Sequence, residues 1–309
     1  MIDLELSWRA AAVTAAGLGI TAAALRRSRR PRLAAAAVFG RESALVVGLF
    51  ALWQLAGSFA VMGPGGALDR SRWLWHAERV LHLPSEASVQ QAFLPHPLIV
   101  QFFNLYYLGL HFPVLIACMI WLFARHRERY RQLRTTLVAF TGCCLLIQLI
   151  PVAPPRMLPG AHLVDTAVLY GQSVYATHAG FDPDQLSAMP SVHVGWAILV
   201  AIAVIGTARS RWRWLALLYP AMTTLAVVVT ANHFWLDGIV AAALLGAVLI
   251  VQYAAGRALA RHPNSGLFPD SLICDHRSNS NPAGTGGSNG RTCSVSPGDR
   301  APAGRDRPS

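Results

Sequence analysis

The feature that most constrains this chain is a series of long apolar stretches separated by polar connections. A helix needs about 20 mainly apolar residues to cross a bilayer, because every backbone polar group must be satisfied within the segment. The chain therefore predicts an all-α, polytopic transmembrane helix bundle, with a six-helix core and one additional N-terminal span. The seven stretches that approach the required length are 10–25, 43–62, 98–124, 135–152, 191–208, 214–231 and 236–255.

The two ends of the chain need separate interpretations. The stretch 10–25 could also belong to a signal peptide, but a signal peptide carries its positive charge before the apolar part, and here the arginine cluster follows it. We predict that 1–42 forms a span and a basic cytoplasmic loop, and that 43–261 forms the main membrane domain. From residue 262 the sequence is rich in Ser, Asn, Gly, Pro and Arg, which predicts a disordered cytoplasmic tail over 262–309.

The distribution of basic residues predicts the orientation. All 26 basic residues are Arg, a usage typical of GC-rich bacterial genomes, and they cluster in the connections, so the net charge of +11 does not indicate a nucleic-acid partner. The connections 26–42, 125–134, 209–213 and 256–261 hold sixteen Arg, against five on the opposite side. The positive-inside rule assigns the first set to the cytoplasm. We predict a multi-pass plasma-membrane protein.

Three polar segments lie at the non-cytoplasmic ends of predicted spans. They are APPR at 153–156, MPSVHVG at 189–195 and NHFWLDG at 232–238. Ionisable residues near the membrane interior are costly and by default indicate function. Two long connections accompany them on this side: 69–83, predicted to be an amphipathic surface helix, and the loop 153–190.

The residue types in these segments fit phosphoester chemistry. His233 and Asp237 are four residues apart, so a carboxylate can bind imidazole Nδ1–H and leave Nε2 as a nucleophile. His193 can then act as general acid and base. Ser191, Arg156 and backbone amides can bind phosphoryl oxygens.

Each signal also has a structural interpretation. A lone His-x3-Asp can stabilise a helix, a histidine at a span entrance can be interfacial, and Arg156 can anchor the topology by snorkelling. Their occurrence together on one face favours a site.

At these positions the sequence resembles a known family. PSVH at 190–193, followed by His233 and Asp237, is similar to the second and third motifs of the type 2 phosphatidic acid phosphatase superfamily. The resemblance implies a six-helix core and a site that needs no metal or cofactor. His233 would be the nucleophile, Asp237 its orienting partner and His193 the general acid, while Ser191 and Arg156 would hold the phosphate.

The resemblance is closest to the inositol phosphorylceramide synthase-like branch. APPR at 153–156 resembles the first motif of that branch, and Tyr107-x3-His111-Phe112-Pro113 resembles its tyrosine–histidine segment, so that the similarity extends over roughly 98–250.

The sequence also departs from the superfamily pattern at two positions. Leu149 and Val227 replace a Lys and an Arg of the broader motifs. We expect His111, His178 or Asn232 to compensate in part.

The leading functional hypothesis is transfer of a phosphate-containing head group at the outer leaflet. Its substrates would be a phospholipid or lipid phosphate and a polyol acceptor, with the bilayer as partner. The transfer would pass through a phosphohistidine intermediate on His233. If water and not a polyol attacks this intermediate, the enzyme is instead a lipid phosphate or pyrophosphate phosphatase. A lipid transporter or flippase would distribute ionisable residues through the membrane depth and show inverted repeats. A metal-dependent hydrolase is a further alternative, although HExxH is absent.

Overall fold

The computed structural model describes residues 8–28, 30–57, 66–172 and 186–261, and apart from one isolated bridge between Val152 and Ser187 this part of the chain contains no β-structure. Two 3-10 segments, Pro155–Met157 and Arg211–Leu217, accompany eleven described helices. The helices are α1 (Trp8–Leu25), α2 (Pro31–Gly57), α3 (Ala67–Val80), α4 (Glu86–Phe93), α5 (Pro97–Gly109), α6 (His111–Arg125), α7 (Arg127–Gln148), α8 (Thr166–Leu169), α9 (Val192–Thr207), α10 (Leu218–Val229) and α11 (Trp235–Arg261).

The all-α polytopic class predicted from the sequence is confirmed, with fewer unambiguous spans than predicted. In the described part of the chain, four helices are long and apolar enough to cross a membrane. The bent pair α5 and α6, counted as one span, brings the number to five. The four are Trp8–Leu25, Arg32–Leu52, Arg211–Val229 and Trp235–Ala258.

The predicted spans 135–152 and 191–208 do not meet that criterion. The first half of α7 is charged, and α9 has only 16 residues. At 1.5 Å per residue, α9 is about 24 Å long, against a hydrocarbon core of about 30 Å. Both helices are nevertheless packed into the bundle, because Phe140 and Cys144 of α7 and Leu199 of α9 belong to its main buried cluster.

The predicted loop 26–42 is largely wrong, because α2 already begins at Pro31. Its arginines had suggested a connection, but its alanines are strong helix formers, and the charge is accommodated by pairing. Glu42 is buried and accepts hydrogen bonds from Arg41 (2.8 Å) and Tyr130 (3.0 Å) and from Arg134. These contacts attach α2 to the beginning of α7.

The predicted span 98–124 is divided into α5 and α6, which meet at an angle of 49°. Pro113 lacks an N–H to donate to the carbonyl of Gly109, and its ring crowds that carbonyl, so the helix breaks there. The break places His111 at the start of α6, where its side chain is buried.

The helix predicted over 69–83 is present as α3, and its placement on the membrane surface stays a prediction. Trp73 and Val80 are exposed, whereas Leu74 is buried. Arg70 Nε donates to the Pro151 carbonyl at 2.6 Å, and Ser71 Oγ donates to the Ala153 carbonyl. Helix α3 thus supports the segment that leads to Arg156.

The long loop that follows Pro151 is ordered by two buried amide side chains over its described part. Gln90 Nε2 donates to the carbonyls of Val164 and Val229, both at 2.9 Å. Asn104 Nδ2 donates to the Thr166 carbonyl at 3.1 Å, and Asn104 Oδ1 accepts from the Thr166 hydroxyl at 2.7 Å. These contacts hold the residues around Val164 and Thr166 against α4, α5 and the end of α10.

Candidate active site

His233 and Asp237 form a buried pair at the entrance to α11. His233 lies two residues before the helix, and Asp237 is in its first turn. Asp237 Oδ2 is 3.3 Å from His233 Nδ1 and accepts the Phe234 amide at 2.8 Å. The four-residue spacing thus produces the predicted contact, through a helix entrance and not through a regular helix face.

A second acceptor for His233 was not predicted from the sequence. The carbonyl oxygen of Ala188 is 2.6 Å from His233 Nδ1. A carbonyl and a carboxylate can only accept, so Nδ1 carries the hydrogen and Nε2 presents its lone pair. No sequence signal identifies Ala188, because backbone carbonyls are common to all residues.

His193 and Ser191 lie at the N-terminus of α9, next to His233. The ring centroids of His193 and His233 are 5.9 Å apart. Ser191 is the N-cap residue, and its Oγ accepts the Val194 amide at 3.4 Å, which leaves the hydroxyl hydrogen to donate. The Ser191 amide donates to the backbone carbonyl of Asp237 at 3.1 Å, which joins the entrances of α9 and α11.

Tyr107 and His111 complete an aromatic cluster around His193. The ring centroid of His193 is 4.6 Å from that of Tyr107 and 4.8 Å from that of His111. His111 Nδ1 is 3.1 Å from the Tyr219 hydroxyl, whereas His111 Nε2 and His193 Nδ1 are buried without a hydrogen-bond partner in the described structure. Tyr219 was missed because it lies within an apolar stretch and belongs to no motif.

Arg156 reaches the same region from the loop that follows α7, and its side chain is almost fully buried. Its Nη1 donates to Asn232 Oδ1, and its backbone amide donates to the Ala231 carbonyl at 3.1 Å. Its Nε forms an ion pair with Asp165 Oδ2 at 3.1 Å. Asp165 was also missed, although its position before a short helix is a typical N-cap signal; its other oxygen caps α8.

The remaining sequence predictions have different outcomes. Both polar atoms of the Asn232 side chain form hydrogen bonds: Oδ1 accepts from Arg156, and Nδ2 donates to Thr230 Oγ1 at 2.7 Å. His178 lies outside the described residues, as does the predicted tail 262–309. Val227, which stands where the broader motif has Arg, is buried with Val194 and Val228 in an apolar cluster.

The geometry defines a class of protein: a helical membrane protein in which two imidazoles, a carboxylate and a guanidinium come together at the entrances of its helices. A profile described as the PAP2 superfamily matches residues 72–251, more than half of the chain. The chain therefore belongs to the PAP2 superfamily, the type 2 phosphatidic acid phosphatase superfamily. Searches of curated proteins and of solved structures found no match.

Membership in this superfamily decides the general activity. Its members are phosphatases or phosphotransferases, so the protein is an enzyme with a lipid phosphatase or phosphotransferase type of function, working on lipid phosphates in a bilayer. Among the described residues, no group of three or more His, Cys, Asp or Glu side chains could hold a metal ion.

Proposed function

We propose that this enzyme transfers a phosphate-containing head group from a phospholipid to a hydroxyl acceptor, as an inositol phosphorylceramide synthase-like member of its superfamily. The transfer passes through a phosphohistidine on His233. The observation that carries the proposal is the charge balance around Arg156.

Arg156 is already paired with Asp165, and Asp237, hydrogen-bonded to His233, adds a second carboxylate to the site. Leu149 and Val227 contribute no charge at the two positions where the broader motifs are cationic. A phosphomonoester carries about −1.5 to −2 at pH 7, whereas a phosphodiester carries a single negative charge. Because unpaired buried charge is costly, this environment favours a phosphodiester donor.

The first half-reaction forms the phosphoenzyme. His233 Nε2 attacks phosphorus, the bond between phosphorus and the lipid oxygen breaks, and His193 gives its proton to the departing lipid alkoxide. The positive charge that develops on the His233 ring is stabilised through Nδ1–H by Asp237 and the Ala188 carbonyl. The 5.9 Å separation of the two rings is consistent with a phosphoryl group bound between them.

The second half-reaction reverses these roles. His193 removes the proton from the acceptor hydroxyl, whose oxygen attacks phosphorus, and the electron pair of the breaking P–N bond returns to His233 Nε2. Arg156, the Ser191 hydroxyl and the backbone amides at the start of α9 hold the phosphoryl oxygens. The asymmetry of sixteen against five arginines supports a site on the non-cytoplasmic face and a cytoplasmic tail.

The test uses purified protein in vesicles with phospholipids radiolabelled in the phosphate. We expect a new labelled phosphodiester that requires an added polyol, and faster turnover of a diester donor than of phosphatidic acid. Release of inorganic phosphate from phosphatidic acid, or of the free head-group phosphate from a diester donor, without a new diester would identify the phosphatase alternative.

Acid-labile labelling of the protein identifies the nucleophile. His233→Gln should abolish this labelling. The matched control is His76→Gln, which replaces an exposed imidazole on α3. Labelling that persists in His233→Gln contradicts the assignment.

A further inference from the structure

Two completely buried glutamates lie beside the first turn of α11. Glu78 is near the end of α3 and Glu86 is the first residue of α4; both have an exposed fraction of 1% or less. Glutamate is almost never fully buried unless it is paired. The reaction proposed above uses neither side chain.

Glu78 binds the helix that carries the candidate catalytic pair. Its Oε1 accepts the amide of Leu236 at 2.8 Å, one of the four N–H groups that a helix N-terminus leaves without an intrahelical partner. Asp237 Oδ2 accepts the Phe234 amide in the same turn. The entrance of α11 is therefore held by two carboxyl groups, and the position of Asp237 depends on Glu78.

The charges around this entrance do not balance if every carboxyl group is ionised. Arg79 Nη2 is 2.9 Å from Glu86 Oε2 and 3.9 Å from Glu78 Oε2. Asp237 repels both glutamates. Arg79, whose side chain is 31% exposed, is therefore the ion-pair partner of two fully buried glutamates, and the negative charge of Asp237 adds to their repulsion. A buried charge without a partner is costly.

One proton shared between Glu78 and Glu86 resolves the imbalance, and Glu78 is the group whose pKa is raised. Burial, followed by the hydrogen bond and the like charge of Glu86, raises the pKa of Glu78 to about 9. With both acids ionised, Glu78 Oε2 and Glu86 Oε1 are buried acceptors without a donor in the described structure. A hydrogen on Glu78 Oε2 that is donated to Glu86 Oε1 satisfies both oxygens at once.

We propose that Glu78 is a positioning residue for the reaction: as a neutral carboxylic acid hydrogen-bonded to Glu86, it holds the first turn of α11 so that Asp237 stays against His233. The proposal rests on the proposed function, because the pair that it positions is the nucleophile and its partner. The charged and titratable groups facing Glu78 are Arg79 from α3, Glu86 from α4, and Asp237 with His233 at α11. Loss of the proton places two like charges together beneath the helix entrance.

The activity test compares two variants of Glu78 with a control on the same helix. Wild-type kcat should decline above pH about 9 as Glu78 ionises. Glu78→Gln keeps an acceptor for Leu236 and a donor for Glu86 but cannot ionise, so this decline should disappear. Glu78→Ala should lower kcat by about 100-fold at every pH, the effect of a small misplacement of reacting groups. Asp69→Asn, which removes an exposed carboxylate paired with Arg72, should match the wild type.

A second measurement does not depend on activity. Infrared spectra of the wild type should contain a carboxylic-acid carbonyl band at neutral pH that fades above pH about 9 and is absent in Glu78→Gln. The pH dependence of thermal stability tests the direction of the Glu78 pKa shift. Between pH 4.5 and about 9 the folded state retains the proton of Glu78 and the unfolded state has lost it. Stability should therefore fall with rising pH through that window, level off above it, and fall less steeply in Glu78→Gln.

The possible outcomes separate two failures. An alkaline decline and an acid band that persist unchanged in Glu78→Gln would overturn the positioning role, as would wild-type kcat in Glu78→Ala. If Glu78→Ala does not fold, the glutamine variant decides. Absence of turnover on any lipid phosphate by the wild type, with the band and the stability slope as expected, would overturn the proposed function and leave the buried acid established.

Discussion

Buried acidic side chains occur beside the beginning of α7 and at the entrance of α11, and their surroundings differ. At the beginning of α7, both oxygens of Glu42 accept hydrogen bonds, from Arg41, Tyr130 and Arg134. At the entrance of α11, Glu78, Glu86 and Asp237 each keep one oxygen without a hydrogen-bond partner in the described structure.

This difference separates a structural cluster from a functional one. The Glu42 network is satisfied with its acid ionised and stabilises one arrangement of helices. The second group stays incomplete even when Glu78 shares a proton with Glu86, because Asp237 Oδ1 still has no hydrogen-bond partner in the described structure. An incompletely satisfied network costs stability and needs another reason to persist. The proposed reason is the chemistry of His233 and His193. If the comparison is correct, substitutions in the two regions should affect different measurements.

The largest effect is expected for the two imidazoles. His233→Ala and His193→Ala should each lower kcat by at least about 10⁴-fold, because residues that act as a unit lose nearly all catalysis when one is removed. The thermal unfolding midpoint should change little for His193→Ala, which removes little apolar area. It should fall for His233→Ala, which leaves the buried Asp237 carboxylate without its imidazole partner, so kcat is expressed per folded molecule. Lipid-phosphate turnover and unfolding are measured together, with His76→Ala as control. Turnover of His233→Ala at the wild-type rate would falsify the assignment.

The second-largest effect is expected for Arg156 and its partner Asp165, whose substitution should change the rate and the substrate preference. Arg156→Ala should lower kcat by about 10² to 10³-fold, the usual loss for one group that stabilises developing charge. Asp165→Asn keeps the cap of α8 but removes the negative charge beside Arg156, so it should raise kcat/KM for phosphatidic acid relative to a diester donor. An unchanged ratio would contradict the charge argument.

In the Glu42 cluster the expected change is in stability. Glu42→Ala leaves Arg134 partly buried without its carboxylate, and breaking a buried pair costs about 3 kcal/mol. Denaturation in detergent should show this loss, and kcat per folded molecule should stay unchanged. A selective fall in kcat would show that the two regions are not separable in this way.

The smallest expected effect concerns close packing next to the histidines. A Cβ on Gly195 would lie 2.0 Å from Phe140 Cζ, whereas a Cβ on Gly238 would meet Val194 at 3.6 Å, an ordinary contact. Gly195→Ala should therefore destabilise the protein by about 1–3 kcal/mol, and Gly238→Ala should be nearly neutral. Equal unfolding midpoints for the two variants would contradict the close packing of α7 against α9.

Hydropathy and motif spacing predicted much of the arrangement. Helix α3, the apolar helices and the meeting of His193 with His233 were all anticipated. The break between α5 and α6 was missed even though Gly109 and Pro113 lie beside it, because continuous apolarity over 98–124 dominated the interpretation. Charge counting similarly concealed the helical part of 26–42, whose arginines and Glu42 are accommodated by contacts with a distant helix.

The sequence by itself determined the all-α membrane class, the family and the residue types available for phosphoester chemistry. These depend on local composition and on short spacings that helix geometry converts directly into contacts. Three contacts became visible only in the tertiary structure. They are the Ala188 carbonyl as a second acceptor for His233, the ion pair of Asp165 with Arg156, and the hydrogen bond from the Leu236 amide to Glu78 at the start of α11. The physical reason is distance along the chain: Glu78 and Leu236 are 158 residues apart, and no local pattern encodes which backbone amide a buried carboxyl group will bind.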